Sequence, residues 1–367
     1  MPPALAPRVP NWLADGIDAT LLREALAGLP AGQGPASPDW VRHFSAIGDD
    51  HARRAAQLEA GDQAAAMTAY LTAAFFYFLA RFPHFLGPDP AAARDAYAKH
   101  RAAYLAASRF FPTPVQVVRL PFEEATIVGY LRIPTPTAMD APPVVVLSGG
   151  IDYWKSDSEL HTIADTLLGE GLAVFALDMP GTGESPLPNG PHAERVYEAA
   201  IAHLGQRPDV DGGRLGVYGL SFGGHWAVKL ALTHPQVRAA VNVSGPIHHA
   251  FTEDWCAAIA PGTLATLAAT FGQGLANLGG PPGMARLLAP LSLVAQQVLG
   301  PRADLPALLS IAGGQDESVP PADLAVIGEA GVAQDTVVYA GDRHVASHHR
   351  ALHLPLAARW LRANLSS

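Results

Sequence analysis

The sequence predicts an α/β protein built on a doubly wound, mostly parallel, eight-stranded sheet, with a helical region before it and a helical insertion within it. Three observations carry this. From Pro143 onward, short β-rich runs alternate with helix-forming runs. Pro143-Val144-Val145-Val146-Leu147 is continuously apolar, as a strand covered on both faces must be. Arg214 to Tyr218 is a strand that runs straight into Gly219-Leu220-Ser221-Phe222-Gly223 and then into the helix-forming run Trp226 to Leu232.

Residues 1 to about 112 read as helical. Ser37-Pro38 offers a side-chain cap with proline at the first helical position, Asp62 caps a second helix, and Asp89-Pro90 opens a third towards Arg109. Gly61, Pro83 and Gly87-Pro88 mark the breaks. Phe75-Phe76-Tyr77-Phe78 is apolar around most of its helix and needs cover on several sides, in the helical core or at a cavity or subunit contact. Val115–Leu120 and Thr126–Ile133 follow as antiparallel strands around Pro121 to Glu124. The remaining strands fall at 143–147, 172–177, 214–218, 239–243, 307–312 and 336–339, with helices at about 158–170, 191–206, 222–234, 322–331 and 348–364. Pro246 to about Arg302 carries no strand signal, only helix-like runs (264–271, 284–288, 291–299) between Gly-Pro breaks, and would lie over Ser221 as a cap. The expected division is therefore 1–112 as a helical N-terminal domain covering the site, 113–245 with 303–367 as the α/β core, and 246–302 as the cap.

Composition narrows the function. Of 367 residues, 49% are apolar and 16% charged, which suits a globular chain, and a net charge of −9 without a basic stripe argues against a nucleic-acid partner. The single cysteine, Cys256, cannot form a disulfide or a cysteine zinc site within one chain and reads as a small buried residue. No charged-then-apolar leader opens the sequence, and the apolar run Ala64 to Ala80 contains Thr68, Tyr70 and Thr72, so a buried helix, no membrane partner and a cytoplasmic location are expected.

Gly219-x-Ser221-x-Gly223 is the pattern of a nucleophile elbow, a strand-to-helix turn too tight for a Cβ two residues either side of the serine. A serine hydroxyl needs a base, and on this topology acid and base follow it along the chain. Asp316 follows the strand ending at Ala312, and His344 follows the last strand, so both fall on the sheet edge that carries Ser221. His344 is the expected base and Asp316 its orienting carboxylate, with Glu317 and Asp342 as rival acids. The oxyanion needs two donors. The backbone N–H of Phe222 is one, and that of Ile151, in the loop Ser148-Gly149-Gly150-Ile151-Asp152, is the other. His225 and His248 are near enough to the elbow to contact substrate, and Tyr153 and Trp154, with Phe251 and Trp255, are plausible walls for a bulky or aromatic substrate. Asp178, in Asp178-Met179-Pro180-Gly181-Thr182-Gly183-Glu184-Ser185, reads as a loop-shaping residue. No metal and no cofactor are expected.

Together, Gly149-Gly150-Ile151-Asp152-x-x-Lys155, the Asp178 loop, Gly219-x-Ser221-x-Gly223-Gly224 and the helical N-terminal region resemble the α/β-hydrolases of the FrsA-like esterase and 2,6-dihydroxypseudooxynicotine hydrolase group. The resemblance covers 113–367 by motif and the N-terminal third by architecture alone. It implies a site enclosed by both helical regions, a homodimer, and a role for Asp152, which stands where the nicotine-pathway enzyme has a glutamate; a loop-ordering Asp152 paired with Lys155 is the alternative. The expected function is cofactor-free serine hydrolysis of a small molecule through an acyl-enzyme, cleaving an ester or lactone, or a ketone carbon–carbon bond with Asp152 or His344 as acid. Acyl transfer or cyclisation on the same acyl-enzyme, and a non-catalytic ligand-binding role, are the alternatives.

Overall fold

The structure is a computed structural model that describes residues 8–29, 34, 35, 37–86, 89–134, 141–301 and 305–366. Gly87-Pro88 and Arg302, a break and a boundary in the sequence reading, lie outside the described residues. The chain forms two compact units: Met1–Gln116 with Ser156–Thr162, and Val117–Lys155 with Ile163–Ser367.

The first unit is helical: α1 (Val9–Ala14), α2 (Ala19–Ala27), α3 (Pro38–Leu58), α4 (Gln63–Arg81) and α5 (Pro90–Ser108). The three expected caps form, with Ser37, Asp62 and Asp89 accepting from the N–H of Trp40, Ala65 and Ala92. Helix α4 is long and apolar enough to cross a membrane, but its aromatic run is buried within this unit. Trp12 packs edge-on against Phe75, Phe78 and Phe82, and Phe44 stacks on Phe76. Gly48 lets α3 approach α4, since a Cβ there would lie 2.6 Å from the Tyr77 ring. A buried Arg81–Asp157 ion pair and a His100 Nε2–Ser156 Oγ bond of 2.9 Å tie Ser156–Thr162 into this unit.

The second unit holds a single sheet of β1 (Gln116–Phe122), β2 (Ala125–Arg132), β3 (Pro143–Ser148), β4 (Ala173–Leu177), β5 (Asp211–Leu220), β6 (Val237–Val243), β7 (Ala307–Gly313) and β8 (Asp335–Tyr339), in the order β1-β2-β4-β3-β5-β6-β7-β8. Strand β2 pairs antiparallel with β4, and β4 to β8 with β3 form parallel pairs. Pro121, expected in the turn, lies inside β1, where an edge position tolerates the missing N–H. Helices α6 (Ser158–Gly169), α7 (Arg195–Leu204), α8 (Phe222–Thr233), α12 (Ala322–Glu329) and α13 (Arg350–Asn364) alternate with the strands. One apolar cluster runs from Val144, Val146 and Phe175 through Trp226 to Leu288 and Leu293.

Between β6 and β7 the chain forms α9 (Glu253–Ala258), α10 (Pro261–Thr270) and α11 (Pro281–Leu288). One expectation is corrected here, and one helix has no counterpart among the expected runs. Helix α9 carried no helical expectation, and 291–299, expected helical, is a 3-10 turn followed by irregular chain. Tertiary packing overrides the local signal: Leu291 and Leu293 are fully buried, Leu293 N–H donates to Ile247 C=O, and Gln297 takes a left-handed φ of 56°. The insertion packs on the sheet's loops. Phe251 meets the Phe222 ring at 6.2 Å, and the Thr270 carbonyl accepts from Asn189 N–H at 2.8 Å.

Candidate active site

Because β3, β5, β6, β7 and β8 are parallel neighbours, their carboxyl ends share one sheet edge, where this topology places ligands. Ser221 sits at the end of β5 with φ 55° and ψ −127°, a strained left-handed backbone. The turn closes because Gly219 lacks a side chain, since a Cβ there would lie 2.1 Å from the Gly223 carbonyl oxygen, and the β3 loop packs against it because Gly223 lacks one too, since a Cβ on Gly223 would lie 2.5 Å from the Ser148 and Gly149 oxygens. Gly150 of the β3 loop comes as close, since a Cβ on it would lie 2.8 Å from Ser221 Cβ.

Ser221 Oγ lies 2.8 Å from His344 Nε2, and His344 Nδ1 lies 2.8 and 3.0 Å from the two oxygens of Asp316. The loops bearing acid and base are pressed together: Gly314 N–H donates to Tyr339 C=O, Gln315 N–H donates to Asp342 C=O, and a Cβ on Gly313 would lie 2.0 Å from the Arg343 oxygen. Burial alone would raise the Asp316 pKa. The His344 charge, its hydrogen bond and the N–H groups of Val319 and Ser318 outweigh that and hold Asp316 below the usual carboxylate range.

The rival acids are elsewhere. Glu317 is exposed and 3.4 Å from Arg343. Asp342 is buried and orders the loop after β8, accepting from the N–H of Arg343, His348 and His349 and from both of those histidine rings. Of the two residues expected to supply oxyanion donors, Phe222 is the first residue of α8 and Ile151 is half-buried after β3. Trp154, itself buried, donates from its indole to the Ile151 carbonyl at 3.3 Å.

Of the residues expected to meet substrate, several are occupied within the protein. His225 has no exposed surface, and its Nδ1 lies 2.9 Å from the Pro246 carbonyl, between Phe222, Trp226 and Phe251. It backs the elbow and presents no face to a substrate. Burial first, opposed by the Pro246 bond and aided by the Lys229 charge, lowers its pKa to about 3. His248 bonds to Ser292 Oγ at 2.7 Å inside the insertion. Tyr153 and Trp154 are buried, and Asp152 is half-buried on the bend between them and β3. Lys155, a suggested partner of Asp152, has its ammonium 2.5 Å from Asp178 and 2.8 Å from Glu184, all three in or beside the core. Asp178 also accepts the N–H of Lys155 and Glu184, so it joins the β3 and β4 loops, and those contacts outweigh burial to keep its pKa low.

Sequence reasoning missed Asp323. It is fully buried at the start of α12 and accepts the N–H groups of Ile247, His248, His249 and Ala250, which fixes the point where the insertion leaves the sheet. Nothing in the local pattern Pro320-Pro321-Ala322-Asp323 points to donors more than seventy residues earlier. Among the described residues, no cluster of histidine, cysteine and carboxylate side chains could hold a metal ion.

A strand-to-helix serine turn on a mostly parallel eight-stranded sheet, with acid and histidine on the following strand-end loops, defines an α/β-hydrolase. More narrowly, the FrsA-like esterase family matches residues 31–365, and the chain belongs to that family. Esterase FrsA of Vibrio vulnificus (strain YJ016) is 28% identical over 257 residues, covering 66% of this chain and 60% of its own. The chain thus spans about three-fifths of the length of the curated relatives it matches. Among solved structures, the 2,6-dihydroxy-pseudo-oxynicotine hydrolase superposes with a TM-score of 0.81 at 20% identity, covering 96% of this chain and 95% of that one. AbyA5 superposes with a TM-score of 0.70 at 22% identity, covering 95% and 98%. At these identities the structural likeness speaks for the fold.

Proposed function

We propose that the chain is a serine hydrolase that cleaves carboxylic esters of small molecules through an acyl-enzyme on Ser221, using only its own side chains and backbone. The observation that carries this reading is the hydrogen-bonded series Ser221 Oγ–His344 Nε2, 2.8 Å, and His344 Nδ1–Asp316, 2.8 Å. His344 Nε2 takes the hydroxyl proton as Oγ bonds to the ester carbon. Asp316, held ionised, keeps the Nδ1 proton in place and stabilises the imidazolium. The N–H groups of Phe222 and Ile151 receive the negative charge on the former carbonyl oxygen. Collapse breaks the ester bond and His344 returns its proton to the departing alkoxide. Water then gives a proton to His344, attacks the acyl carbon, and Ser221 leaves with that proton restored. The family's esterase character favours oxygen over carbon as the leaving atom.

Turnover of a p-nitrophenyl acyl ester tests this. Ser221→Ala and His344→Ala should each lower kcat on the order of 10⁴-fold or more. Either variant retaining turnover within about tenfold of the parent would remove that residue from the chemistry.

A further inference from the structure

Trp255 lies on α9, the first helix of the insertion, and is half-buried against the core. Its indole N–H donates to the Ser318 carbonyl at 3.1 Å. That carbonyl belongs to the peptide whose other end is the Val319 N–H, and the Val319 N–H donates to Asp316 Oδ1 at 2.9 Å. In a planar trans peptide the C=O and N–H point in opposite directions. The indole therefore grips one end of a rigid plate whose other end grips the acid. Accepting a bond at the oxygen also polarises the same peptide's N–H and strengthens its donation. The Ser318 N–H, at 2.8 Å from the same carboxylate oxygen, completes the turn.

The other end of this connection is fixed as well. Thr252 caps α9 by accepting the Trp255 N–H, Asp323 holds residues 247–250, and Phe251 rests on the Phe222 ring. One hydrogen-bonded route thus runs from the first helix of the insertion through the 318–319 peptide and Asp316 to His344 and Ser221.

We propose that Trp255 is a positioning residue for the catalytic acid: by holding the 318–319 peptide it sets the orientation of Asp316, so that the seating of the insertion governs the competence of the Ser221–His344 pair. The inference rests on the reading of Asp316 as the orienting carboxylate. It gives the tryptophan a role other than that of a substrate wall. A wall residue would act mainly on substrate affinity; a residue acting through Asp316 acts on the chemical steps and only while Asp316 is present.

The test is a double-mutant cycle on the full chain with Trp255→Phe, which keeps an aromatic ring and removes the N–H, and Asp316→Asn. Acylation rates are read by single-turnover cleavage of a p-nitrophenyl ester, alongside kcat and KM. Trp255→Phe is expected to lower kcat about tenfold with KM within about twofold. In the Asp316→Asn background the same substitution should lower the acylation rate by less than about twofold. Equal losses in both backgrounds, an effect confined to KM, or no effect in the parent would overturn the proposal. If Asp316→Asn itself leaves kcat unchanged, the reading of the acid fails, and that outcome is separate from the failure of Trp255. Thermal melts of each variant, together with Trp255→His, whose ring N–H can restore the donor, keep the result interpretable: rescue of kcat by His is expected, and equal losses for Phe and His at unchanged melting temperature count against the hydrogen bond.

Discussion

His225 makes a quantitative prediction about acid stability. Its ring is fully enclosed, Nδ1 bonds to the Pro246 carbonyl, and Nε2 has no hydrogen-bond partner among the described residues. A second proton would place an unpartnered donor and a charge among Phe222, Trp226 and Phe251, and for that reason the pKa falls to about 3. An exposed histidine in the unfolded chain titrates near 6.5. Between those values the unfolded state binds the extra proton, so stability is complete above about pH 6.5 and declines as pH falls towards 3. At pH 5 the interval is about 1.5 units, or about 2 kcal/mol at about 1.36 kcal/mol per unit. The variant His225→Asn keeps an N–H donor near Pro246 and cannot titrate. It loses ring contacts and will be less stable at pH 7.5, so the informative quantity is the slope. Urea unfolding of parent and variant at pH 7.5 and pH 5 should show the parent losing about 2 kcal/mol more than the variant over that interval. His353, buried and lowered to about 4 by burial and by Arg350, titrates alike in both proteins and cancels. Parallel losses within about 0.5 kcal/mol would mean that the folded protein accepts the proton at His225, and the account of the enclosed elbow backing would be refuted.

Three further outcomes follow from the contacts. Gly150→Ala brings a Cβ to 2.8 Å from Ser221 Cβ and 3.0 Å from Oγ, so kcat for ester cleavage should fall about 100-fold with little change in KM, measured by steady-state kinetics. Lys155→Met removes the cation between Asp178 and Glu184 and leaves a buried carboxylate unpaired, which should cost about 3–5 kcal/mol in chemical denaturation; a loss under about 1 kcal/mol would mean that the network is dispensable. Asp152→Asn, assayed on a p-nitrophenyl ester and on a ketone with an activated carbon leaving group, should lower both rates alike if Asp152 orders the loop, whereas selective loss of ketone cleavage would identify it as an acid for carbon.

What could be read from the sequence was what local chemistry determines. The elbow needed glycine at 219 because of a contact within the turn itself, whereas Gly223 meets the distant β3 loop, and the strand-end positions of Ser221, Asp316 and His344 follow from alternation along the chain. The helix caps at Ser37, Asp62 and Asp89 were equally local. Choices that depend on how separate loops meet were legible only in part: the position after β7 favoured Asp316 as the acid but left Glu317 and Asp342 as rivals. Asp316, Glu317 and Asp342 are alike in sequence, and only the apposition of the β7 and β8 loops brings one to His344, leaves one exposed and turns one onto the backbone. Asp323 and Lys155 likewise act on partners set by the fold. The run 291–299 has helical composition, but its leucines are taken up by packing against Ile247 and the core, so it does not complete a helix.

The central claim is that Ser221 becomes the acyl carrier. Labelling the full chain with a fluorophosphonate and mapping the adduct by peptide mass spectrometry tests it directly. The account predicts a single adduct per chain on the Ser221 peptide, loss of ester turnover in proportion to labelling, and no adduct in Ser221→Ala. An adduct on another residue, or full turnover by a chain labelled to completion at Ser221, would contradict it.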